Sequence, residues 1–66
     1  MNYHVKHVVK DDKLGDLWLT IGVFGSKESA VAFCSGKDPD LLTIEVYKEG
    51  ELVREYNAEG DCLSHD

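Results

Sequence analysis

Residues 17–36 read LWLTIGVFGSKESAVAFCSG, and the spacing of their apolar side chains changes halfway along. The first part alternates with a period of two residues, which is typical of a β-strand. The strand residues predicted to face inward are Leu17, Leu19, Ile21 and Val23. The second part predicts a helix of about ten residues, because Ser26 can cap its first turn and Gly36 can end it. The residues on the apolar side of this helix are Ala30, Phe33 and Cys34.

Strand-like segments lie on both sides of this stretch. Residues 2–10 also alternate, and the polar segment 11–16 can turn them back onto the strand that follows. After a proline-centred loop, residues 42–46 and 52–56 form a second pair of alternating segments. The predicted order is therefore ββαββ, an α+β fold in which one helix packs on one face of a four-stranded antiparallel sheet.

The turn between the last two strands determines which residues share a face. A two-residue turn would place Glu49 at positive φ, which glutamate disfavours. A type I turn at Lys48-Glu49 with Gly50 as a left-handed bulge avoids that strain, and it is the arrangement we predict. This register pairs Val46 with Leu52 and turns Val53 to the face away from the helix.

One domain, residues 1–57, follows from this arrangement, and residues 58–66 are predicted to be a flexible acidic tail. The helix would contribute Ala30 and Phe33 to the core. The predicted sheet residues of the core are Tyr3, Val5, Val9, Leu17, Leu19, Ile21, Val23, Leu42, Ile44, Val46 and Leu52.

Composition and charge exclude several classes of protein. The chain has 66 residues, with 13 acidic and 7 basic side chains and a net charge of −6. This balance disfavours direct binding to nucleic acid, which needs clustered lysine and arginine. We find no signal peptide and no apolar run long enough to span a bilayer, and two cysteines do not make a disulfide scaffold. These features predict a cytoplasmic protein, in the host cytoplasm if a virus encodes it.

Few residues suggest catalysis or cofactor binding. His4 and His7 are three apart on a strand and so point to opposite faces, and Cys62 and His65 form only a second isolated pair of ligands. Cys34 lies on the apolar side of the helix, where a thiol behaves as a small hydrophobic group. We therefore predict no enzyme activity, no cofactor and no metal.

The face of the sheet that the helix leaves open is the better candidate for function. Tryptophan and tyrosine on an exposed face are the residues that dominate binding interfaces. Cross-strand packing of Trp18 within its own hairpin is the alternative explanation for its position. Acidic side chains also concentrate in the second half of the chain, where they could orient a basic partner or simply aid solubility. The predicted partner-binding residues are Trp18, Thr20, Glu45, Tyr47, Glu51, Val53 and Glu55.

Two functional hypotheses follow. The first is a small non-catalytic adaptor or inhibitor that binds another protein through this open face and the acidic last hairpin. Its target could be the basic groove of a nucleic-acid-binding protein, as for small acidic antagonists encoded by phages and mobile elements. The alternative is a homodimeric structural subunit or scaffold paired through the sheet face or an edge strand. No motif in the chain identifies a family.

Overall fold

A computed structural model describes residues 1–63 and shows the predicted α+β architecture in the order ββαββ. The elements are β1 (Asn2–Asp11), β2 (Gly15–Phe24), α1 (Lys27–Cys34), β3 (Leu42–Lys48) and β4 (Glu51–Asn57). A short 3-10 helix, Pro39–Leu41, precedes β3. All strands are antiparallel, and their order in the sheet is β2-β1-β3-β4.

The helix begins and ends where the sequence predicts, although it is shorter than expected. The hydroxyl of Ser26 accepts a hydrogen bond from the backbone N–H of Ser29 at 3.2 Å, which caps the first turn. Gly36 takes a φ of 82° just beyond the last turn. The helix has eight residues, and no helix within residues 1–63 is long and apolar enough to cross a membrane.

The core lies between α1 and the middle of the sheet. Val5 of β1 and Ile44 of β3 are opposite each other and fully buried. Tyr3, Phe24, Phe33 and Tyr56 are among the partly buried residues that surround this centre. The buried residues of the core cluster are Val5, Ala30, Cys34, Leu42, Ile44 and Ala58.

A bulge in β2 reverses the predicted alternation of its second half. Val5 pairs with Gly22 and Lys6 with Thr20, so Ile21 is the extra residue. Beyond the bulge, Phe24 rather than Val23 lies on the helix side, and its ring is 5.1 Å from that of Phe33. The prediction that Ile21 and Val23 belong to the core was wrong, and both are exposed.

Three other predicted core residues, Val9, Leu17 and Leu19, are exposed for a different reason. A helix of eight residues is about 12 Å long, whereas strands of ten residues extend about 33 Å. The helix therefore covers only part of the β1–β2 hairpin. Pairing of β1 with β3 also ends at His7, so the far part of this hairpin has no neighbour beyond β1.

The β3–β4 turn differs from the predicted one. Lys48 pairs with Glu51, which leaves Glu49 and Gly50 as a two-residue turn with φ values of 54° and 82°. These positive angles are those of a type I′ turn, which suits the twist of the strands. The register then shifts opposite Val46 and Tyr47, so that Tyr47 pairs with Leu52. The predicted pairing of Val46 with Leu52 and the core assignment of Leu52 were wrong.

Glu49 is therefore held in a backbone conformation that asparagine adopts more readily. We expect Glu49→Asn to raise the free energy of unfolding by about 0.5–1 kcal/mol in a urea titration, because the left-handed conformation costs other residues roughly 1–2 kcal/mol. Glu51→Asn is the control, since Glu51 lies in β4. An equal gain from both substitutions would contradict this account of the turn.

The packed part of the chain extends past residue 57. Ala58 is buried in the core, and the side chain of Asn57 accepts hydrogen bonds from the N–H groups of Glu59 and Asp61. The chain then returns along β4, where Tyr56 forms a bridge with Cys62. Residues 58–63, assigned from the sequence to an acidic tail, thus pack against the domain. The remainder of that predicted tail, with His65, lies outside the described residues.

Candidate partner-binding face

The outer face of the sheet, opposite α1, carries most of the predicted binding residues. The pairing of the strands aligns these residues in rows across the sheet. Trp18 is opposite Val8, Thr20 lies in a row with Lys6 and Thr43, and His4 lies in a row with Glu45 and Glu55. The face is therefore aromatic at one end and charged in the middle.

A shallow groove of about 400 Å³ lies on this face. It brings together Trp18, Glu45 and Glu55, which the sequence predicted as partner-binding residues. They come from three different strands, β2, β3 and β4. The other residues that line the groove are Leu42, Thr43 and Leu63.

The two carboxylates in the groove are directly opposite each other on neighbouring strands. Like charges in this position destabilise a sheet. A cation lies nearby, since the ammonium of Lys6 is 3.8 Å from Glu45 Oε1. The groove thus contains two acidic side chains, and a lysine lies beside one of them.

Tyr47 fixes one of these carboxylates. Its hydroxyl donates a hydrogen bond to Glu45 Oε1 at 3.0 Å, and its ring lies 4.5 Å from that of His4. This hydrogen bond raises the pKa of Tyr47, as do burial and the nearby charges of Glu45 and Glu55. Tyr47 therefore remains a neutral donor at physiological pH and holds the Glu45 carboxylate in place.

Trp18 lies across from Val8 in its own hairpin and keeps a large exposed surface. Val8 is only 7% exposed although it lies on the outer face. The tryptophan itself remains 48% exposed, and it lines the groove. Its position in the hairpin thus leaves a substantial indole surface open.

Two of the predicted binding residues do not belong to the outer face. Glu51 pairs with Lys48, which lies on the helix side of the sheet together with Val46 and Ile44. Val53 is the extra residue at the β4 bulge and lines a separate groove with Tyr3 and Tyr56. Leu52 takes the place on the outer face that was predicted for Val53, since it is opposite Tyr47. Both corrections follow from the two-residue turn.

Sequence reasoning missed Leu63 as part of the groove. The N–H of Leu63 donates to the carbonyl of Glu55 at 2.8 Å, which brings this residue beside β4. A signal was present, because Asn57 and Gly60 are turn-forming residues and Leu63 is apolar in a polar segment. Thr43 was also missed, although its alternation with Ile44 places it on the outer face.

The described histidines and cysteines form no metal-binding group. His4 and His7 occupy opposite faces of β1, and residues 1–63 contain no group of three or more histidine, cysteine or acidic side chains that could hold a metal ion. Cys34 is buried, and burial raises the pKa of its thiol although Lys37 acts in the opposite direction. Cys62 is exposed beside β4.

Comparisons with protein-family models, with curated proteins and with solved structures find no match to this chain.

Proposed function

We propose that the chain is a small non-catalytic protein-binding protein, an adaptor or inhibitor, whose outer face receives a basic side chain of a partner protein. The observation that supports this most strongly is the groove that Trp18, Glu45 and Glu55 line together. It combines an exposed aromatic surface with two acidic side chains that face each other across β3 and β4.

A lysine or arginine side chain matches both parts of this groove. The aliphatic stem and the cation can lie on the indole of Trp18, since cations bind tryptophan faces within about 6 Å of the ring centre. The charged end can then reach the carboxylates, where arginine forms two parallel hydrogen bonds. Aromatic packing and charge pairing would therefore act on one side chain of the partner.

The glutamates that are opposite each other on β3 and β4 also support the proposal. They bring two carboxylates together on one face of the sheet, where like charges disfavour each other. A cation of the partner would add to the charge pairing that Lys6 already gives Glu45.

The class of partner we favour is a protein with a basic, nucleic-acid-binding surface. An acidic chain with a net charge of −6 is attracted to such a surface over distances up to about 8 Å in physiological salt. By occupying it, the chain would act as an inhibitor in the cytoplasm, or in the host cytoplasm if it is virally encoded. In this proposal no residue has a catalytic role.

The proposal is tested by the affinity of the protein for a short arginine-containing peptide. Trp18 is the only tryptophan in the chain, so its fluorescence reports binding in the groove directly. We expect Glu45→Gln combined with Glu55→Gln to weaken binding about five- to tenfold, which corresponds to about 1–1.4 kcal/mol. Raising the salt concentration should also weaken binding, because the contacts are exposed.

The control is a double variant that removes the same number of negative charges outside the groove. Glu49→Gln combined with Glu59→Gln removes two exposed carboxylates outside the groove and should change the affinity less than twofold. Equal weakening in the two double variants would show that the peptide responds only to total charge, and the groove would then have no special role.

A further inference from the structure

Strand β2 is an apolar edge strand of the sheet. Among residues 1–63 it pairs with β1 only, and its first seven residues are all exposed. Its large apolar side chains are 37–55% exposed, namely Leu17, Trp18, Leu19, Ile21 and Val23. Long exposed edge strands of this kind pair readily with other strands, and monomeric proteins usually protect them with lysine, proline or a covering segment.

Protection is present at the opposite edge of the sheet. The segment after β4 turns back along that strand, where the N–H of Asn57 donates to the carbonyl of Asp61 at 2.9 Å and Leu63 donates to Glu55. Strand β4 also carries Glu51, Arg54 and Glu55. Residues 17–24 of β2, by contrast, contain no charged residue and no proline. The two edges therefore differ in their protection, and of the two only β2 is suited to pairing with another strand.

Charge indicates what pairs with β2. Residues 1–33 contain four basic and four acidic side chains, so the half of the chain that includes β2 is neutral, and the net charge of −6 belongs to residues 34–66. A second copy can approach this neutral edge without the repulsion that it meets elsewhere. A basic partner, in contrast, gains no electrostatic attraction there.

We propose that two copies of the chain pair antiparallel through β2 and form one continuous eight-stranded sheet. The twofold axis passes close to Trp18 and Leu19, in the regular part of β2 before the bulge at Ile21. Antiparallel pairing across the axis satisfies the unpaired backbone groups of both edges and places apolar side chains opposite apolar side chains. This inference is independent of the proposed binding groove.

The arrangement closes at two copies. After β2 has paired, the free edges of the eight-stranded sheet are the two β4 edges, each covered by its own residues 61–63. The exposed leucines on the helix side of the hairpin, Leu17 and Leu19, would meet their counterparts. A standard interface buries about 800 Å² on each partner, roughly a sixth of the 4574 Å² surface of the chain.

Sedimentation equilibrium tests this proposal. At concentrations of tens of micromolar, the protein should have twice the 7.4 kDa mass of the chain. Leu19→Lys should weaken the dimer at least tenfold, because it introduces like charges across the twofold axis and a lysine on the edge. Leu52→Lys is the matched control, an equally exposed leucine on β4, and it should remain dimeric.

Amide hydrogen exchange gives a second measurement that needs no variant. Exchange in β2 should slow as the protein concentration rises, while exchange in β4 should stay constant. A wild-type protein that is monomeric at 200 μM, or exchange in β2 that is independent of concentration, would overturn the proposal. Dissociation of Leu52→Lys to the same extent as Leu19→Lys would also overturn it.

Salt distinguishes this proposal from the proposed function. The dimer joins two acidic chains through an uncharged strand, so added salt should strengthen it by screening their repulsion. Binding of an arginine peptide in the groove should weaken under the same conditions. Leu19→Lys should leave that peptide binding within twofold of the wild-type value, since Leu19 does not line the groove. Each proposal can therefore fail while the other holds.

Discussion

Replacement of Ile44 by alanine is expected to lower the free energy of unfolding by about 3–4 kcal/mol. Ile44 is fully buried at the centre of the core, opposite Val5 on one neighbouring strand and Tyr56 on the other. Its truncation removes apolar surface from the core and leaves a cavity that strands on both sides hold open. A core of this size supplies only about 3–5 kcal/mol in total, so the variant should be marginally stable at best.

Two further substitutions make this result interpretable in urea unfolding experiments. Ile44→Val removes one methylene group and should cost about 1 kcal/mol. Leu14→Ala changes a side chain that is 72% exposed in the β1–β2 loop and should lie within about 0.5 kcal/mol of the wild type. If Ile44→Ala were as mild as Leu14→Ala, the core would not lie where the structure places it.

Addition of one methyl group at Gly22 is expected to destabilise the protein by about 1–3 kcal/mol. A Cβ atom at this position would lie 2.8 Å from the ring of Phe24 and 3.5 Å from that of Phe33. Phe24 can move away only by giving up its contact with Phe33, which is one of the contacts between β2 and α1. Gly22→Ala should therefore lower the unfolding midpoint in urea.

Gly25→Ala is the matched control for this prediction. A Cβ atom at Gly25 would have no neighbour within 4 Å, and its φ is not positive. Because alanine restricts the unfolded chain more than glycine does, this substitution should be neutral or stabilising by up to about 1 kcal/mol. Similar effects at the two glycines would mean that the close packing around Gly22 is not what limits stability.

Local chemistry made the fold class predictable from the sequence. The alternation in β1 and β3, the cap at Ser26 and the glycine at 36 each act on nearby residues, and the structure confirms the elements that they predict. The ββαββ order then leaves one sheet face to the helix and the other open. This is why Trp18, Thr20, Glu45, Tyr47 and Glu55 could be placed on a common face before the structure was known.

The two bulges could not be predicted in the same way. Ile21 becomes the extra residue in β2 because Phe24 packs on Phe33, a contact between elements that strand periodicity does not reveal. In the last hairpin the predicted turn avoided a positive φ at Glu49, whereas the structure has that angle in a two-residue turn that suits the strand twist. A shift of one residue moved Val53 and Leu52 to the faces opposite to those predicted.

The groove itself depends on contacts that are distant in sequence. Glu45 and Glu55 are opposite each other because β3 and β4 pair, and Trp18, on the far side of β1, lines the same groove. Leu63 completes the groove only because the segment after β4 turns back along that strand. Sequence alone could identify an aromatic and acidic face, whereas the association of one tryptophan with two particular carboxylates required the structure.

If both proposals hold, dimerisation would place two grooves on one continuous outer face. Trp18 belongs to β2, so the two tryptophans would lie near the twofold axis and the two glutamate pairs farther from it. A partner with two basic side chains at suitable spacing could then bind both grooves at once, which would strengthen binding without new kinds of contact.

A nuclear magnetic resonance titration of the ¹⁵N-labelled protein with the arginine peptide tests the central claim most directly, because it shows where the peptide binds. We predict that the largest shifts occur at the indole N–H of Trp18 and at the backbone amides of Glu45 and Glu55, the groove residues of three strands. The acidic residues outside the groove, Glu49, Glu59 and Asp61, should shift little. Shifts centred on these outer residues, with the indole unchanged, would contradict the account.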